Sequence, residues 1–263
     1  MVPNLLEKMG VECVKLFCDP NGQFSHNPEP LPENLTEISK LVVSERADFG
    51  IVVDPDVDRL ALVCEDGSMF GEEYTLVACA DFVLSQNKGN TVSNLSSTRA
   101  LRDVTQKHGG AYTASAVGEV NVVNAMKANK AVIGGEGNGG IILPEAHFGR
   151  DALVGIALFL SLLAEKQISV SALKKTYPLY YMSKKKIDLD PNIDVDGLLE
   201  AMENKYANET LTTVDGVKID FADSWVHLRK SNTEPIIRIY TEAPSQQQAD
   251  KLADRFIVEL KTL

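Results

Sequence analysis

The stretch TVSNLSSTRALRDVTQKHGGAYTASAVGEVNVVNAMKANKAVIGGEGNGG, residues 91–140, decides the fold. TVSNL, AYTAS and AVIGG read as short strands, and TRALRDVTQKHG and EVNVVNAMKANK between them read as helices. Strands alternating with helices of this length form βαβ units, so an α/β fold with parallel or mixed sheets is expected here. Ligands in such folds bind at the carboxyl ends of the strands, which draws attention to 113–119 and 134–140.

On the N-terminal side, VPNLLEKMG reads as the end of a helix stopped at Gly10, and VECVKLFC as a strand. A chain opening on a helix without its preceding strand looks truncated. GQFSHNPEPLPENL (22–35) is an irregular proline-rich loop, and 34–46 has helical spacing at Leu35, Ile38, Leu41 and Val42. ADFGIVV is a buried strand running into DPDVDR, and LALVCED is the strand after it. Helices are expected over Glu72–Gln86 and from Arg150 to about Glu165. Beyond about Lys175 the pattern changes. YYMSKKKIDL alternates like a strand, 194–206 is helical, VDGVKIDFADSWVHLRKSNTEPIIRIYTEA holds three strands, and a helix over 244–262 closes an α+β unit. Domain limits fall at 1–68, 69–176 and 177–263.

A net charge of −11 argues against a general nucleic-acid binder, which needs clustered Lys and Arg, but leaves room for a small phosphorylated ligand. Cys13, Cys18, Cys64 and Cys79 lie in or beside apolar segments without CxxC spacing, so they read as small buried thiols in a reducing cytoplasm. The N-terminus has no signal-peptide pattern, and no apolar run reaches the roughly 18 residues of a membrane span.

DPDVDR places Asp54, Asp56 and Asp58 at alternate positions directly after a strand. Three carboxylates that close repel unless a cation sits among them, and hard oxygen ligands suit Mg²⁺. An EF-hand is rejected, because Arg59 stands where the required glycine belongs. A solvated acidic turn stays open on spacing alone. GGEGNGG (134–140) combines close-approach glycines with Glu136 and Asn138, which suit hydroxyl groups, and a plain flexible turn is the alternative. RKSNTEP offers Arg229, Ser231, Asn232 and Thr233, with Arg238 on the next strand, as a concentrated anion site; an ordinary basic hairpin is the alternative. His147 and Arg150 flank a helix start as capping or surface residues, Trp225 reads as core, and Arg99 balances local charge at a helix start. His26, His108 and His227 lack metal-ligand spacing.

Taken in order, DPDVDR, GGEGNGG and RKSNTEPIIRIYTEA resemble the metal, sugar and distal phosphate loops of the α-D-phosphohexomutase family. The resemblance implies a phosphohexomutase that interconverts hexose 6-phosphate and hexose 1-phosphate through a phosphoserine enzyme and a 1,6-bisphosphate. It implies Mg²⁺ on Asp54, Asp56 and Asp58, Arg59 beside the transferring phosphate, Glu136 and Asn138 on the sugar, and Arg229, Ser231, Asn232, Thr233 and Arg238 on the other phosphate. Gly137, Asn138 and Gly139 depart from the GEESGH-like loop of many members and favour a phosphoglucosamine mutase over a phosphomannomutase/phosphoglucomutase. SHNP at Ser25 mimics the family's nucleophile loop, but Ser25 lies only 29 residues before Asp54, where the family separates the two loops by more than a domain. A chain lacking the phosphoserine domain is therefore expected, inactive alone, or else a non-catalytic sugar-phosphate-binding fragment. Its shortened second domain would leave a sheet edge open to self-association.

Overall fold

The structure, a computed structural model, describes residues 1–189, 193–231 and 234–263. Helices α1 (Val2–Lys8) and α2 (Thr36–Glu45) precede the hairpin of β1 (Phe49–Val53) and β2 (Leu60–Cys64), which pair antiparallel as a two-stranded sheet. Next come α3 (Glu72–Gln86), β3 (Asn90–Asn94), α4 (Ala100–Lys107), β4 (Tyr112–Ser115), α5 (Glu119–Asn129), β5 (Ala131–Glu136), β6 (Gly140–Ile142), α6 (Ala152–Lys166) and α7 (Val170–Lys174). Their sheet has the order β4-β3-β5-β6, parallel except for the β5–β6 hairpin. The last part contains β7 (Tyr181–Asp188), α8 (Val195–Lys205), β8 (Thr210–Thr212), β9 (Val217–Asp220), β10 (Trp225–Lys230), β11 (Ile236–Ala243) and α9 (Gln246–Lys261). It forms an antiparallel sheet of order β7-β11-β10-β9-β8.

The expected α/β organisation followed by an α+β unit is therefore present. VECVKLFC departs from expectation, because no strand forms over 11–18. Val11 and Cys13 pack on the core, but a strand needs a ladder partner for its N–H and C=O groups, and this segment has none among the described residues. Cys18 is exposed and Cys13 half-buried, so only Cys64 and Cys79 are the buried thiols expected of all four. The short elements β6, α7 and β8 carry too little periodicity to be read from sequence.

One apolar cluster runs through the first two sheets, joining Leu60, Leu62, Phe70, Ile133, Ile156 and Phe159, with Phe159 packed on both Phe49 and Phe70. A second cluster lies between the last sheet and helices α8 and α9, around Val226, Leu228, Ile237, Ile239, Met202 and Phe256. Alternation then sends Trp225, His227, Arg229, Arg238, Tyr240 and Glu242 to the opposite face. That polar face is turned toward the second sheet and closes on it.

Arg99 holds this junction, contrary to its reading as a local charge balance. Its guanidinium donates to the Ser224 carbonyl at 2.8 Å, the Asp220 carboxylate at 3.3 Å and the Ala222 carbonyl at 3.4 Å. Its backbone N–H donates to Glu242 Oε1, which also accepts from Trp225 Nε1 at 2.8 Å. Arg99, Trp225 and Glu242 are all buried, and burial raises the Glu242 carboxyl above its ordinary range. Removing one partner of a buried ion pair strands the other charge. Arg99→Met should therefore lower stability by about 3–5 kcal/mol in urea unfolding, and adding Glu242→Gln should recover part of that loss.

Candidate functional site

The parallel strands β3, β4 and β5 all end on one side, and the loops that follow them build one wall of a cleft of about 370 Å³. Asn94, Ser96, Val117, Glu136, Gly137 and Asn138 belong to this wall. The opposite wall is the polar face of the last sheet, with Lys184, His227, Arg229, Ser231, Arg238 and Tyr240. The sugar-loop and phosphate-loop candidates, 93 residues apart from Glu136 to Arg229, thus face one cavity. Asn232 and Thr233 lie outside the described residues.

The glycine stretch is split between β5 and β6, leaving Gly137–Gly139 as the hairpin turn. Gly139 adopts φ +86°, and a Cβ there would overlap the Leu60 backbone. That contact is a bond: the Leu60 N–H donates to the Gly139 carbonyl at 3.0 Å, and Arg59 bridges to Gly140. A side chain at 137 would overlap the Glu73 carboxylate, so glycine lets the cleft wall close there. Glu136 is buried and fully engaged. Oε1 accepts from Asn94 Nδ2 at 2.8 Å and the Gly118 N–H at 3.2 Å, and Oε2 accepts from Arg150 Nη1 at 3.0 Å.

The acidic loop is the turn of the β1–β2 hairpin. Asp54 Oδ1 accepts the Asp58 and Arg59 backbone N–H groups, both at 3.0 Å, and Oδ2 accepts from Arg59 Nε at 2.6 Å. Arg59 also pairs with Glu29 at 2.8 Å, which ties the proline-rich loop to this hairpin. The three aspartates bring ligand atoms within 4.8 Å of one another, Asp56 is exposed, and Asp58 Oδ1 is a buried oxygen without a hydrogen-bond partner. Three hard oxygen donors with one orphaned are what a divalent cation needs. Burial pushes the Asp58 carboxyl up to about 6, reinforced by neighbouring Asp54. Burial acts the same way on Asp54, but the Arg59 N–H and guanidinium overcome it and hold that carboxyl below the usual range.

Arg229 stands directly opposite Arg238 across β10–β11, and Arg238 stands opposite Lys186 across β7–β11. Like charges in register are unfavourable, and they become favourable around an anion. Asp215 engages Arg229 Nε at 2.9 Å, whereas Arg238 makes no side-chain hydrogen bond or ion pair among the described residues. His227 joins the two walls. Its Nε2 sits 2.6 Å from the Asp215 carbonyl and is the protonated nitrogen, so Nδ1 accepts from the Ser96 hydroxyl at 3.0 Å. Burial pushes this imidazole down to about 4, which keeps it neutral at physiological pH.

Sequence reading passed over Glu73, Asn94, Ser96, Lys184 and Asp215, and weighed His227 only as a metal ligand. Two of these left a trace, because Lys184 and His227 each alternate with apolar or opposite-facing neighbours in strands that also carry Lys186 and Arg229. Arg150 was read as a capping or surface residue. Asp151 is the helix cap instead, accepting from the Leu153 and Val154 N–H groups, and Arg150 points between the acidic and glycine hairpins.

Comparison with known proteins gives matches along the chain. Residues 1–67 match "Phosphoglucomutase/phosphomannomutase, alpha/beta/alpha domain II", residues 71–180 match domain III of the same description, and residues 190–258 match its C-terminal domain. A phosphoglucomutase/phosphomannomutase of Thermococcus kodakarensis is 36% identical over 252 residues, covering 94% of this chain and 55% of the relative. A probable phosphoglucosamine mutase of Methanopyrus kandleri is 33% identical, covering 98% of this chain and 58% of the relative. A phosphoglucomutase/phosphomannomutase family protein of Burkholderia thailandensis superposes with a TM-score of 0.87 at 29% identity, over 99% of this chain and 57% of that one. The chain thus spans little more than half the length of the relatives it matches.

Only ionised carboxylates ligate a cation, so Mg²⁺ affinity should fall as pH drops through about 6, by roughly tenfold per unit below it. Calorimetric Mg²⁺ titrations between pH 5 and 8 check this, and Asp58→Asn should abolish the dependence along with most of the binding.

Proposed function

The chain belongs to the phosphoglucomutase/phosphomannomutase family of α-D-phosphohexomutases, and from that membership we propose that it carries the cation loop, sugar loop and distal phosphate clamp of a phosphohexomutase. The observation that carries this reading is the single cleft in which Glu136 and Asn138 face Arg229, Ser231 and Arg238. We take 1–68, 69–176 and 177–263 as the domains, in a cytoplasmic protein. Among the described residues no helix is long and apolar enough to cross a membrane.

In the proposed reaction a phosphoserine gives its phosphoryl group to a hexose monophosphate, forming a 1,6-bisphosphate. The bisphosphate turns over, and its other phosphoryl group returns to the serine as the isomeric monophosphate leaves. Mg²⁺ held by Asp54, Asp56 and Asp58 would neutralise charge on the transferring group. Arg59, anchored by Asp54 and Glu29, holds a guanidinium beside that group. Glu136 and Asn138 orient the sugar, whose two hydroxyl faces must be read in both orientations. Arg229, Ser231 and Arg238, with Asn232 and Thr233, clamp the phosphate that does not react. Arg238 is the least committed cation of that group among the described residues, so its charge is available to the ligand without breaking an ion pair to any of them.

The substrate class favoured is an amino-sugar phosphate. The Methanopyrus relative supports it. Mannose and glucose phosphates are the alternative, supported by the Thermococcus relative. Among the described cleft residues, the serine hydroxyls are those of Ser96, bonded to His227, and Ser231, at the phosphate hairpin. Neither is at the acidic loop, so the phosphoryl carrier is assigned outside this cleft wall.

Calorimetry should find binding of glucosamine 6-phosphate that weakens about 10–100-fold in Arg229→Ala, the range of a charge-assisted hydrogen bond. With Mg²⁺ and a trace of hexose 1,6-bisphosphate, this chain alone should bind without turnover, and Ser25→Ala should bind as the parent does. Turnover that disappears in Ser25→Ala would give the phosphoryl carrier to Ser25 and overturn that assignment.

A further inference from the structure

Arg150 is one cation shared by three carboxylates from three segments. Nη1 donates to Glu136 Oε2 in the glycine hairpin at 3.0 Å, and Nε lies 3.5 Å from Glu119 Oε2 at the start of α5. Nη2 pairs with Asp58 Oδ2 in the acidic hairpin. The Arg150 backbone N–H also donates to Glu119 Oε1 at 2.9 Å, which fixes where the side chain departs. That side chain runs directly over Gly140, where a Cβ would overlap its Cδ, so the passage between the hairpins exists because residue 140 has no side chain. Its accessibility is 19%, and Nε, though near Glu119, makes no hydrogen bond among the described residues.

We propose that Arg150 is a positioning residue that couples the state of the acidic loop to that of the sugar loop. This rests on the reading of those two loops given above. The guanidinium and a dication among Asp54, Asp56 and Asp58 are rivals for the same carboxylate, Asp58. When a dication neutralises the acidic loop, the attraction of Asp58 for Nη2 weakens and the guanidinium shifts its charge toward Glu136 and Glu119. When Glu136 holds the guanidinium strongly, Asp58 is released to the cation. Linkage makes these two effects equal in size. The bidentate fork of arginine is what allows one side chain to serve both hairpins; a lysine ammonium has no such span.

The test is Mg²⁺ titration calorimetry on the chain, Arg150→Met, Glu136→Gln and the double variant, with circular dichroism melting to verify folding. Removing the rival should raise Mg²⁺ affinity about 5-fold or more in Arg150→Met, the lower end of coupling between sites. Glu136→Gln should lower affinity, because the guanidinium then commits to Asp58. In the Arg150→Met background the Glu136→Gln effect should vanish. Arg150→Lys, which keeps the charge, should also bind Mg²⁺ more tightly than the parent and serves if the methionine variant does not fold. A folded Arg150 variant with unchanged or weaker Mg²⁺ affinity overturns the coupling alone, as does an equal Glu136→Gln effect in both backgrounds. A parent chain that binds no Mg²⁺ overturns the cation loop itself, and the coupling with it.

Discussion

The Leu60 N–H to Gly139 carbonyl bond, with the Arg59–Gly140 bridge beside it, is the contact on which the rest of the site depends. It joins two hairpins, one carrying the acidic loop and the other the glycine turn, through backbone atoms alone. Backbone contacts leave little freedom for either turn to move independently, so the aspartates and Glu136 are held in a constant relation. The close approach requires glycine at 139 and 140, for different reasons. Position 139 must bring its carbonyl against Leu60 in a left-handed conformation, and position 140 must leave a passage for Arg150.

Electrostatics then organises the space between the hairpins. The acidic loop, Glu119 and Glu136 would repel one another in a poorly solvated cleft. Arg59 and Arg150 are placed to answer that, one anchoring Asp54 and the other spread over Asp58, Glu119 and Glu136. Opposite them the last sheet presents cations in register, Arg229 against Arg238 and Arg238 against Lys186. The protein carries a large net negative charge, yet it concentrates positive charge on one face of one sheet. A cleft with carboxylates on one wall and guanidinium groups on the other suits a ligand that is both hydroxylated and anionic.

The two walls meet through buried polar contacts instead of an apolar seam. Arg99 reaches the loop between β9 and β10, Lys218 donates to the Leu95 carbonyl, and His227 bonds Ser96. Such contacts have narrow geometric requirements, because a displaced buried donor loses its partner outright. They therefore set the separation of the walls more sharply than side-chain packing would.

The alternation of strands and helices over 91–165, the change of pattern after Lys175 and the three polar loops were legible in the sequence, because periodicity and turn chemistry are local properties. VECVKLFC shows the limit: its residues suit a strand, but a strand exists only where another backbone lies alongside, and none does among the described residues. The same limit applies at the site. Asp54, Asp56 and Asp58 announce themselves by spacing within one turn, whereas Arg99, Arg150 and His227 acquire their roles from partners 12 to 143 residues away. Sequence alone marked which loops concentrate the polar and charged residues. Tertiary structure alone decided which arginines meet those loops, because a long flexible side chain takes its meaning from whichever charge the fold brings within reach.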